Sequence, residues 1–162
     1  MKAPKRASEA AAPPAAATQA AGGASGGAPA VPLILVVDDY EDNRDMYSQY
    51  LQFAGLRVAE AANGKEALSK TAELMPDLIV MDLSLPGVDG WQATRMIKQD
   101  PKTRDILVLA LTGHALEGAS QGAKDAGCDA FLTKPCLPED LHQEIQRMLG
   151  AASARSKAKT RR

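Results

Sequence analysis

Leu33 to Val37 form an uninterrupted apolar run that stops at Asp38 and Asp39, the pattern of a strand covered on both faces. Met46, Tyr47, Tyr50, Leu51 and Ala54 then recur at helical spacing up to Gly55, a helix stop. Arg57 to Ala61 read as a second strand, and Asn63 followed by Glu66 resembles a capping pair opening a helix that carries Ala67, Leu68, Ala72 and Met75 and ends at Pro76. Asp77 to Leu83 form a third strand that delivers Asp82 near its C-terminal end. Pro86, Gly87 and Gly90 mark the following loop, and a third helix runs from about Asp89 to Gln99, with Met96 and Ile97 expected in the core. Ile106 to Leu111 is a fourth strand. A glycine-bearing helix with Gly118 and Gly122 comes next, and it is expected to be the loosest because glycine costs about 1 kcal/mol relative to alanine inside a helix. Ala130 to Thr133 is a fifth strand, and Pro138 opens a fifth helix with Glu139 and Asp140 in its first turn and Leu141, Ile145, Met148 and Leu149 along one face.

Five strands alternating with five helices imply right-handed crossovers onto one parallel sheet, a doubly wound α/β architecture. Composition sets the limits of that domain at residues 33–149. Residues 1–32 are rich in Ala, Gly and Pro and contain no Leu, Ile or Phe, so they are expected to be a disordered leader. Lys2, Lys5 and Arg6 precede an alanine-rich stretch, but Pro13 and Pro14 break it, against a secretory signal. The formal net charge of −1 divides into +2 over residues 1–32, −8 over 33–149 and +5 over 150–162, where a basic disordered tail is expected. So acidic a globule does not attract nucleic acid non-specifically. With no second globular domain expected beyond Gly150, no direct specific DNA binding is expected either. No apolar run reaches eighteen residues, so no membrane span is expected. Cys128 and Cys136 have neither zinc-ribbon nor redox-motif spacing, and His114 and His142 have no metal-ligating neighbours, so reduced thiols in a cytoplasmic protein are expected.

In this architecture sites gather where the strands end, at the carboxyl edge of the sheet. Asp38 and Asp39 lie after strand one, Asp82 at the end of strand three, Thr112 after strand four, and Lys134 after strand five. Three carboxylates at one rim repel one another unless a cation neutralises them, and a hard oxygen-seeking ion such as magnesium suits them. With that ion and the Lys134 ammonium nearby, Asp82 is a candidate nucleophile toward a phosphoryl group, and Thr112 a hydroxyl donor to one of its oxygens. A flavin or dinucleotide binder would need a phosphate-attracting loop after strand one, where Asp38-Asp39-Tyr40-Glu41-Asp42 would repel phosphate. Phosphatases with an aspartyl intermediate place Asp-x-Asp there, whereas Asp38 and Asp39 are adjacent.

These residues resemble the receiver domain of bacterial two-component response regulators, over nearly the whole of residues 33–149. Val36-Val37-Asp38-Asp39 is similar to the family's acidic pair, residues 80–90 to the segment around its phosphorylated aspartate, Ala110-Leu111-Thr112-Gly113 to the strand end supplying the switch hydroxyl, and Phe131-Leu132-Thr133-Lys134-Pro135 to its closing motif. The resemblance implies a flavodoxin-like sheet of strand order 2-1-3-4-5 and a Mg2+ (or Mn2+) ion held by Asp38, Asp39, Asp82 and the backbone carbonyl of Ser84. It implies phosphorylation of Asp82 by a sensor histidine kinase or histidine phosphotransfer protein, and a cis Lys134–Pro135 bond.

It also implies a switch in which Thr112 meets the phosphoryl group and Phe131 rotates inward. The surface of the fourth helix, fifth strand and fifth helix then changes for an unidentified target protein or a further relay step. Phe131 stands where the family often has Tyr, and Gly113 where Ala is common. Ser84 and His114 occupy the positions that tune dephosphorylation. Such a protein is not an enzyme in the usual sense: it catalyses only its own phosphoryl transfer and autodephosphorylation. The alternative is a pseudo-receiver, a protein-interaction module that keeps the fold without phosphorylation.

Overall fold

The computed structural model describes residues 30–85, 87–113, 122 and 124–161. Its elements are β1 (Leu33–Val37), α1 (Glu41–Phe53), β2 (Arg57–Ala61), α2 (Gly64–Leu74), β3 (Leu78–Asp82), α3 (Gly90–Gln99), β4 (Leu107–Thr112), β5 (Ala130–Thr133) and α4 (Pro138–Thr160). The helix expected between β4 and β5 falls mostly outside the described residues, Gly118 with it; residues 122 and 124–126 are helical. All but the last three residues of the expected leader also lie outside them.

The five strands are parallel and ordered β2-β1-β3-β4-β5. Successive strand side chains point to opposite faces, so each apolar run feeds two cores. Leu35, Val37, Ile79, Met81, Val108 and Ala110 pack on Ala67 of α2 and on Ala93 and Ile97 of α3. Ile34, Val36, Leu78, Val80, Leu109 and Leu111 pack on Tyr47 and Leu51 of α1 and on Leu141, Ile145 and Met148 of α4. Burial on both faces is why β1, β3 and most of β4 are apolar throughout rather than alternating.

Local chemistry fixes the helix starts. Asn63 Oδ1 accepts from the Glu66 amide at 2.8 Å, and Glu66 Oε2 returns the bond one residue earlier than a capping box would, to the Ala62 amide at 3.2 Å. Asp89 caps α3 by accepting from the Gln92 amide at 2.7 Å. At the sheet's amino edge, Lys98 Nζ donates to the Ile106 carbonyl at 2.7 Å and to Asp129 Oδ2 at 2.8 Å, and the same oxygen accepts from the Val108 amide. One lysine thereby ties the end of α3 to the segments entering β4 and β5.

Two expectations need correction. Ile97 is buried, but Met96 is 47% exposed. The inward stripe of α3 is Gly90, Ala93, Thr94 and Ile97, and a neighbour of Ile97 in sequence turns about 100° away from that stripe. The segment from Gly150 is not a disordered tail: α4 continues as helix to Thr160. Ala151, Ala152, Ala154 and Ala158 have the highest helix propensity, and Lys157 and Lys159 in the last turn complement the helix dipole.

Ile145→Ala is expected to cost about 2–5 kcal/mol of unfolding free energy, the range for a fully buried aliphatic side chain, and Met96→Ala less than about 0.5. Urea denaturation of the two variants checks the pair; similar costs would mean that these faces of α3 and α4 are misassigned.

Candidate functional site

The parallel sheet brings the ends of β1, β3, β4 and β5 to one edge, and the predicted residues meet there. Asp38 follows β1 and is 1% exposed; Asp82 ends β3 and is 3% exposed; Asp39 is exposed. One carboxylate oxygen from each of the three lies within 4.8 Å of the others. Lys134, just beyond β5, places Nζ 3.2 Å from Asp38 Oδ2 and 3.1 Å from Asp82 Oδ2. Each buried carboxylate uses its other oxygen locally: Asp38 Oδ1 accepts from the Tyr40 amide at 2.9 Å, and Asp82 Oδ1 from the Ser84 amide at 2.8 Å.

Partial burial pulls the pKa of Lys134 down, but the charges and hydrogen bonds of Asp82 and Asp38 outweigh it and hold the ammonium above its ordinary value. Its stabilising contribution is therefore complete below about pH 10 and is lost only as the pH rises through the raised value. One ammonium against three carboxylates leaves the cluster net negative. Three hard oxygen donors, two of them buried, suit a divalent cation such as magnesium far better than a soft metal.

Thr112 ends β4 and is buried beside this cluster; its carbonyl accepts from the Lys134 amide at 2.7 Å, so backbone as well as charge fixes the lysine's approach. The Lys134–Pro135 peptide is cis. Ser84 is exposed at the rim, and Phe131 is 39% exposed. His114 lies outside the described residues.

Three supporting groups escaped the sequence reading. Tyr47, which helical spacing places in the core, is indeed buried, and its hydroxyl donates to the Cys136 carbonyl at 2.9 Å, anchoring the segment just after Lys134 to the middle of α1. Arg44 Nη1 donates to the Asp38 carbonyl at 3.0 Å. Gly90 was read as a loop marker, yet a Cβ there would sit 2.1 Å from the Asp82 carbonyl oxygen, so α3 starts directly against the backbone of Asp82. The Tyr47 bond spans 89 residues and no spacing rule reaches it. The Arg44 bond needs only local helix geometry and was in principle legible.

The model of the response regulator receiver domain family matches residues 34–146, most of the chain. The chain belongs to the response regulator receiver domain family. Similar proteins include the polar-differentiation response regulator DivK of Brucella anthropi, 34% identical over 119 residues that cover 74% of this chain and 97% of DivK. Among solved structures, the chemotaxis protein CheY4 of Vibrio cholerae is 33% identical with a TM-score of 0.70, covering 73% of this chain and 98% of CheY4. The receiver domain of the sensor histidine kinase PA1611 from Pseudomonas aeruginosa PAO1, solved with a magnesium ion coordinated in its active site cleft, is 34% identical with a TM-score of 0.69, covering 75% and 99%. The flavodoxin-like fold is therefore shared. Receiver domains typically bind Mg2+, interact with histidine kinases and phosphotransfer proteins, and are generally not true enzymes. No helix among the described residues is long and apolar enough to cross a membrane.

In metal-free buffer, Asp82→Asn is expected to raise the urea midpoint, because it removes two repulsive pairings and one desolvated charge against a single attractive pairing. Millimolar Mg2+ is expected to raise the wild-type midpoint more than that of the variant. A lower midpoint for the variant without metal would show that the cluster is not mutually repulsive.

Proposed function

We propose that this receiver takes a phosphoryl group onto Asp82 and uses it to change how it binds a partner protein. The observation that supports this most is the ammonium of Lys134 3.1 Å from Asp82 Oδ2, within a cluster of three carboxylates. A carboxylate so placed has a cation ready for the oxygens of an incoming phosphoryl group.

The donor is a phosphohistidine of a sensor histidine kinase or a histidine phosphotransfer protein. An Asp82 carboxylate oxygen attacks phosphorus; the new O–P bond forms as the P–N bond breaks, and the departing imidazole keeps the electron pair and takes up a proton. Asp38, Asp39, Asp82 and the backbone carbonyl of Ser84 would hold a magnesium or manganese ion, which when bound supplies positive charge to the phosphoryl oxygens. Lys134 supplies the second cation, and Thr112 donates its hydroxyl to a phosphoryl oxygen. Arg44 and Tyr47 hold the backbone on either side of these groups.

The output follows from the same contacts. Thr112 and Thr133 are register partners on β4 and β5, and Phe131 lies two residues before Thr133, so a shift of Thr112 toward phosphate is passed to Phe131 along paired strands. Phe131, now partly exposed, turns inward, and the surface around β5 and its flanking helices takes up or releases a target protein. Phe131 brings no hydroxyl to that surface, so a target reads its shape and apolar area. Water returns the carboxylate by hydrolysing the acyl phosphate, with Ser84 and His114 setting its access. The molecule catalyses only this transfer and its own dephosphorylation, and works in the cytoplasm.

Incubation with radiolabelled acetyl phosphate and Mg2+ is expected to label the wild type, and EDTA or Asp82→Asn to abolish the label. Lys134→Ala is expected to slow labelling by at least tenfold, and Thr112→Ala to leave labelling intact while removing the phosphorylation dependence of partner binding. A wild-type protein that stays unlabelled although Mg2+ stabilises it would point instead to a phosphorylation-independent binding module.

A further inference from the structure

The packed part of α4 ends near Leu149, beside the amino ends of β3 and β4, where Ala152 and Ser153 lie close to Met75, Asp77 and Leu107. From residue 153 to 161 every residue is exposed and all but the last are helical, so the helix leaves the domain on the edge opposite the acidic site. Dipole stabilisation accounts for cations in the last turn of a helix, but not for Arg155, which precedes that turn.

Their spacing carries a second regularity. Arg155, Lys157, Lys159 and Arg161 alternate with small residues. At about 100° per residue, Arg155 and Lys159 fall within about 40° of each other, and Lys157 and Arg161 form a similar pair on nearly the opposite side. No ion pair engages any of the four among the described residues. Between the two cationic ridges lie only Ala, Ser and Thr.

We infer that this helical extension is a sequence-independent docking element for double-stranded DNA, lying in the major groove with one cationic ridge against each phosphate wall. A membrane-surface helix would need large apolar residues opposite its cations, and residues 150–162 hold none larger than Ala among their apolar side chains. An acidic protein groove would want apolar anchors as well, and these are equally missing. The major groove of B-form DNA, roughly 12 Å wide, admits one α-helix and bears negative charge on both sides, which is what two opposed ridges fit. The deep, narrow major groove of duplex RNA does not admit it. The nine exposed residues extend about 13 Å, so Lys159 and Arg161 stand beyond the roughly 8 Å over which the acidic domain's repulsion is felt at physiological salt. The inference stands apart from the function proposed for the acidic site.

The test is fluorescence anisotropy of a labelled 20-base-pair duplex of mixed sequence, titrated with the full chain between 50 and 200 mM salt. With four phosphates neutralised, log affinity is expected to fall with log salt at a slope of roughly −3.6. The variant carrying Arg155→Gln, Lys157→Gln, Lys159→Gln and Arg161→Gln is expected to lose at least tenfold in affinity at 50 mM and most of that slope. Ala154→Pro keeps every charge but interrupts the helix before the ridges, and is expected to lose several-fold. Wild-type affinity in the four-fold variant would overturn the inference, as would wild-type affinity in Ala154→Pro, which would reduce the element to a string of charges. Binding to vesicles containing 30% phosphatidylserine with none to the duplex would overturn it in favour of a lipid surface.

Discussion

The Lys134 ammonium between Asp38 and Asp82 is the contact on which the site depends, because among the described residues it alone draws two buried carboxylates toward a common positive charge. Those carboxylates belong to different strands, and neither strand is adjacent to β5: β4 lies between β5 and β3, and β1 lies beyond β3. Only a parallel sheet delivers all these termini to one edge, and only helices on both faces make such a sheet soluble. The apolar runs of β1, β3 and β4 are therefore as much a condition of the site as its charged residues. Residual negative charge is the consequence, and it favours a divalent cation, whose charge together with that of Lys134 would offset the repulsion an anionic phosphoryl group meets there.

Much of this was readable in sequence because the deciding signals are local. β2 and β5 begin and end where propensity and turn residues put them, and the five site positions follow from strand ends alone. Failures occurred where the answer lay in three dimensions. Met96 was assigned to the core together with Ile97 on helical spacing, and only the orientation of α3 on the sheet decides between the two. Tyr47 gave an apolar signal that hid its hydroxyl's role, since its acceptor is a backbone carbonyl far along the chain. Gly90 looked like loop punctuation because a sequence does not reveal that the Asp82 backbone would occupy the space of its Cβ.

The supporting contacts share a direction. Arg44 and Tyr47 sit one turn apart on α1 and reach the two backbone segments that flank the cluster, one after β1 and one after β5. The Thr112 carbonyl holds the Lys134 amide, and the Leu111 carbonyl holds that of Leu83. Each functional side chain thus stands on a backbone fixed by a neighbouring strand or helix, which limits the site's freedom to the side chains themselves. Under the proposed switch, a small change at Thr112 passes to β5, an edge strand with no buried residue.

Charge is distributed along the molecule with equal economy. α4 starts beside the acidic cluster and runs back antiparallel to the strands, so its 23 residues, about 35 Å, separate the carboxylates from the cationic end. At several Debye lengths the two neither neutralise nor weaken each other. Had the cations followed Lys134 directly, they would have filled the acidic pocket and removed its need for a metal ion. Placing them past the far edge of the sheet leaves the carboxylates available to a cation and the helix available to a polyanion, and a partner at one end does not cover the other.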